Sequence, residues 1–136
     1  MKEDCRITDS VNRIVLRSNP YLGYSFEIDL HKNGKVFYKN NMDCSDGAFL
    51  LIRSDAAEYL ISLAEAELSP CVGDDECGYI CIDGYHWEIS FYNEEVRSSH
   101  IEGRNGERAS RHDHIKRVVQ AIEGIIPVNL GYHYML

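Results

Sequence analysis

The 136-residue chain is notable first for what it lacks. No apolar run approaches the roughly 18 residues that a membrane span needs. Proline is scarce at three residues, which argues against a proline-rich linker or tail. There is no G-x-S-x-G, no H-E-x-x-H, no phosphate-binding P-loop and no G-x-G-x-x-G, so none of the common catalytic or nucleotide-binding signatures is present. Basic charge is missing from one long stretch. Residues 43–95 carry thirteen carboxylates against a single base, Arg53, a net −12. The flanks, 1–42 and 96–136, are each +2, which leaves the chain at −8.

What is present is ordinary for a globular domain: 44% apolar, 10% aromatic and 26% charged residues. The length fits one domain over 1–136. The opening MKEDCRITDS is charged and has no apolar core, so a cytoplasmic, reduced protein is expected. The five cysteines are then expected to be free thiols. Of Cys71, Cys77 and Cys81, only Cys77 and Cys81 come near the C-x2–4-C pairs of a zinc site, and a fourth ligand would have to come from Cys44, Cys5 or a distant histidine, so no metal or other cofactor is expected.

Period-two alternation marks the strands. Tyr24, Phe26, Ile28 and Leu30 alternate with polar residues, and after HKNGK the pattern resumes at Val36 and Tyr38. A three-residue loop, Lys32-Asn33-Gly34, pairs Leu30 with Val36 and Ile28 with Tyr38 and keeps one face apolar. It calls for a type I turn, a G1 bulge and a left-handed Gly34. Arg13–Leu16 reads as a further strand. Ala48–Ile52 is apolar throughout and reads as a strand or the lead into a helix. Asp83-Gly84 reads as a type I′ hairpin that sets Ile80 opposite Trp87, and the polar Val96–Ile101 as a strand at an edge or with a solvated face. Residues 102–111 read as a loop.

Two stretches have helical period. Ala57, Leu60, Ile61, Ala64 and Leu68 share one face behind a capping-box-like start at Asp55 and Glu58. Ile115, Val118, Val119, Ile122, Ile125 and Ile126 share another in a helix from His112 or Asp113. Both halves repeat a loose plan of hairpin followed by helix. The expected architecture is α+β: an antiparallel sheet of about five to seven strands built from hairpins, with two helices on one face. The apolar tail VNLGYHYML is expected to dock on the sheet, or to be donated to a neighbouring copy.

The segments YSFEIDLHKNGKVFY, DGYHWEISFY and IEGRNG resemble small α+β proteins of low-GC Gram-positive bacteria and their mobile elements. That group has no established activity, so the resemblance implies no catalytic residue. The loop proline that precedes the closing helix in those proteins is absent here.

Function therefore rests on charge. The acidic middle repels free nucleic acid and attracts a basic protein surface. Clustered carboxylates imitate a phosphate array and can occupy a nucleic-acid groove. The leading expectation is a non-enzymatic acidic binding or inhibitor protein with a basic, nucleic-acid-handling partner. In size and charge it resembles anti-CRISPR and nuclease-inhibiting proteins of phages and other mobile elements. Its expected contacts are Asp74, Asp75, Glu76, Glu94 and Glu95. The alternative is a small enzyme or an anion-binding domain, in which Arg104, Arg108, Arg111, His112 and His114 crowd the start of the last helix. Pairing of those bases with the protein's own acids competes with that reading. Neither membrane nor direct nucleic-acid binding is expected, and the oligomeric state is open.

Overall fold

A computed structural model describes residues 11–18, 25–41, 45–69, 86–94, 96–104, 109–128 and 130. Among the described residues six strands form one antiparallel sheet: β1 (Arg13–Ser18), β2 (Phe26–His31), β3 (Lys35–Asn40), β4 (Ala48–Leu51), β5 (His86–Asn93) and β6 (Val96–Arg104). Their spatial order is β4-β3-β2-β1-β5-β6. Helix α1 (Ser54–Leu68) follows β4, and α2 (Ala109–Ile125) follows β6. The architecture is α+β, as expected. No helix among the described residues is long and apolar enough to cross a membrane.

Alternation decides which side is covered. Ile14 and Leu16, Phe26, Ile28 and Leu30, Val36 and Tyr38, and Trp87, Ile89 and Phe91 all point to one face. They form a single cluster with Ala57, Leu60, Ile61, Ala64 and Leu68 of α1 and with Ile115, Val118, Val119 and Ile122 of α2. The opposite face has no helix on it among the described residues. The start of the apolar tail docks as expected: Leu130 is fully buried, and its N–H donates to Glu123 Oε2 at 2.7 Å.

The β2–β3 register is the one that the three-residue loop requires, with Leu30 opposite Val36 and Ile28 opposite Tyr38. Gly34 has φ +99° and its N–H donates to the His31 carbonyl, while Asn33 Oδ1 accepts from Lys35 N–H. The Gly34 carbonyl in turn accepts from Ile52 N–H at 2.9 Å, so this turn also anchors the exit from β4.

Several expectations are corrected. Trp87 lies between Ser18 of β1 and Gly103 of β6, so both of its ladder positions are taken. Ile80 and the Asp83-Gly84 turn lie outside the described residues. Residues 102–104 extend β6 rather than starting a loop, and α2 starts at Ala109, before His112. At α1 the N-cap is Arg53 and makes no side-chain cap hydrogen bond. Asp55 instead binds Arg53 in a two-pronged ion pair at 3.0–3.1 Å. Finally, Ile125 is exposed, and Ile126 completes the α2 stripe.

Gly34→Ala tests the turn. A Cβ there runs into the Ile52 carbonyl oxygen, and the backbone angle disfavours any L side chain. Urea unfolding is expected to show a loss of about 1–3 kcal/mol, whereas Gly124→Ala, which meets nothing within 4 Å, leaves stability unchanged or slightly raised.

Candidate functional site

The uncovered face of the sheet presents the second set of alternating side chains. At one end Arg17 bridges two neighbours, with Nε 3.2 Å from Glu27 Oε1 and Nη1 3.4 Å from Glu88 Oε1. At the other end Arg13 grips Asp29 through Nε and Nη2, both at 2.8 Å, and its guanidinium lies 4.6 Å from the centre of the Tyr92 ring. Val15 sits between the two arginines and is only 5% exposed, although it lies on the uncovered face. Long side chains can shield an apolar neighbour in this way while their charged heads stay wet. Ser90 and His100 face each other across β5 and β6, with Oγ 2.8 Å from Nδ1.

Toward β4 the face becomes apolar. Phe37 and Phe49 lie opposite each other with ring centres 5.0 Å apart and tilted by 55°. Gly47 makes room for the Phe37 ring, because a Cβ there would collide with it. Phe49 is 85% and Leu51 77% exposed. With His31 and Lys35 they line a groove of about 520 Å³. The apolar run Ala48–Ile52 hid this, since such a run reads as buried on both sides.

The helices are clasped by charge. Glu67 of α1 accepts from His114 Nδ1 at 2.8 Å and from Arg117 Nη1 at 2.9 Å, both on α2. These hydrogen bonds hold the Glu67 carboxyl below the usual carboxylate range, against the partial desolvation that opposes them. Arg53 does the same for Asp55.

The predicted residues fare unevenly. Of the acidic set, Glu94 lies in the β5–β6 turn at φ +60°. Its N–H donates to Asn12 Oδ1 at 2.9 Å, and its carboxylate accepts from Asn12 Nδ2 at 3.1 Å. It closes a hairpin and remains exposed. Asp74, Asp75, Glu76 and Glu95 lie outside the described residues, as do Arg108, Cys71, Cys77 and Cys81. Arg104 ends β6, and Arg111 and His112 lie in the first turns of α2, with side chains outside the described set. His114 is the one member of the basic set whose side chain is described, and it is bound to Glu67, as is Arg117. That much matches self-pairing rather than an anion site. The clasp was not legible, because its partners are 47 and 50 positions apart. Among the described residues no group of three or more His, Cys, Asp or Glu side chains is placed to hold a metal ion. No protein-family model matches the chain, and no curated protein matches it.

The clasp makes a pH prediction. A depressed carboxyl contributes stability above its unfolded value, near 4.5, and loses it as pH falls through the lower folded value. Glu67→Gln is expected to cost roughly 0.5–1.5 kcal/mol near pH 7. In urea titrations at stepped pH, the gap between wild type and variant should close as the pH falls below that range. A gap that persists there would show that Glu67 acts through shape alone.

Proposed function

We propose that this protein is a binding protein rather than an enzyme. On this reading it is an inhibitor of a basic, nucleic-acid-handling protein, of the anti-CRISPR or nuclease-inhibitor kind, carried by a phage or other mobile element. The observation that carries this reading is the one-sided charge of α1. The helix holds Asp55, Glu58, Glu65 and Glu67 and no basic residue over Ser54–Leu68. Asp55 is answered by Arg53, and Glu67 by His114 and Arg117. Glu58 is exposed, with no ion pair among the described residues, and beside it Tyr59 is 55% exposed.

An exposed tyrosine next to unpaired carboxylate suits a protein contact, because the ring supplies area at low entropic cost and the charge supplies steering. Asp74, Asp75 and Glu76, which follow α1 in the chain, extend the same run of negative charge in the sequence. A basic groove built for phosphate would be drawn to such an array over a range set by the Debye length, about 8 Å at physiological salt. The sheet is different, because its carboxylates Glu27, Asp29 and Glu88 are already matched by Arg13 and Arg17.

The test is capture from a host lysate on the immobilised protein. Basic proteins that bind nucleic acid should be retained at low salt and released as salt rises. Reversing Glu58 together with Asp74, Asp75 and Glu76 to lysine should slow association by roughly tenfold or more. A retained set that is indifferent to both salt and charge reversal would overturn the reading.

A further inference from the structure

We infer that β4 is a self-association edge, through which two copies of this chain join their sheets about a two-fold axis. The inference is independent of the proposed function. It starts from the phase of the β3–β4 ladder. Ile52 N–H donates to the Gly34 carbonyl, which fixes which residues of the strand bond inward. In an antiparallel pair the bonded residues alternate. Ala48 and Leu50 therefore direct their backbone groups to β3, and Phe49 and Leu51 direct theirs outward. Those two residues also carry the most exposed large apolar side chains described, both on the uncovered face.

The sheet's two edges are built differently. Outer strand β6 presents Arg97 and His100, and its ladder with β5 is broken by a register shift at Phe91/Tyr92. Charges and irregularities of this kind are the usual guards against edge pairing. Strand β4 reads Ala-Phe-Leu-Leu, with no charge, no proline and a regular register.

Among the two-fold registers that satisfy the outward backbone groups, one also sets each exposed apolar side chain opposite another. With Leu50 on the two-fold axis, Phe49 lies opposite Leu51 of the other copy and Leu51 opposite its Phe49. All four outward N–H groups then find carbonyls, and the apolar side chains meet across the uncovered face. Exposed Asp46 precedes the strand and exposed Arg53 follows it, so an antiparallel pair brings the acid-bearing end of one copy toward the base-bearing end of the other, where Arg53 also holds Asp55. This is an isologous contact, so it closes at two copies. It is small: the exposed phenylalanine and leucine contribute roughly 300 Å² per copy. Stable interfaces bury about 1,200–2,000 Å² in total, so the dimer is a weak and concentration-dependent one.

Sedimentation velocity under reducing conditions tests it. The wild-type mass is expected to rise from 15.6 kDa toward twice that value by about 1 mM, the weak end of specific association. The double variant Phe49→Lys/Leu51→Lys should remain monomeric with unchanged circular dichroism, because both side chains lie at the surface. Register is read by mixing Phe49→Cys with Leu51→Cys under mild oxidant. The mixture should cross-link at least several-fold faster than either variant alone, with wild type as the control for native thiols. A wild type that stays monomeric to that concentration would overturn the inference. So would a dimer that survives both lysines, or cross-linking that ignores the pairing.

Discussion

Single-sided burial is the constraint on which the structure depends. Every strand alternates, so half of its side chains must face away from the helices. With two helices on one side, the apolar half has one place to go. Trp87, Ile89, Phe91, Leu16, Ile28 and Leu30 meet the α1 and α2 stripes there and are almost wholly removed from water. The other half must live beside solvent, and it does so mainly by neutralising itself. Arg13 and Arg17 each serve more than one neighbour, and Val15 is sheltered between them. Such exposed pairs contribute little stability individually. Their larger effect here is to leave the centre of the sheet without an unmatched charge.

The same constraint explains which parts of the fold could be read in advance. Helix α1 was legible because its stripe is set locally: the five predicted residues are the five that are buried. The β2–β3 hairpin was legible because two independent signals agreed, the apolar parity and the conformational demand met by Gly34. Strand β5 was legible as a strand but not in its partners. The pattern Trp87, Ile89, Phe91 states that one face is covered and says nothing about which strands lie alongside. The neighbours proved to be β1, some seventy residues upstream, and β6. A nearby turn signal at Asp83-Gly84 pointed to a local mate for Trp87, and sequence separation hid the true one.

Charge was legible in total and not in arrangement. Counting thirteen acids over 43–95 treats them alike, whereas Glu67 is locked to α2, Glu88 to Arg17 and Asp55 to Arg53. Glu94 was chosen as a contact residue and is engaged in holding a turn through Asn12. Glu58, read from the sequence only as part of a helix start, is exposed on a helix without bases and makes no ion pair among the described residues. The apolar edge was legible as a strand leading into a helix, but not in its exposure. A run such as Ala48–Ile52 suits a strand covered on both sides, but a sheet covered on one side exposes every second residue of it. Phe49 and Leu51 are those residues.

The proposed recognition surface and the inferred dimer edge should respond to salt in opposite senses. The proposed attraction between α1 and a basic partner would be a contact between opposite charges at an exposed surface, which added ions weaken. Two copies of this chain each carry −8 and repel over distances longer than a Debye length. The inferred joining at β4 would rest on backbone bonds and on apolar area. Ions screen the repulsion between whole molecules while leaving the apolar term intact, and kosmotropic salts strengthen it. The proposed recognition by charge and the inferred association by shape are therefore compatible on one small domain: low ionic strength would favour the first and disfavour the second.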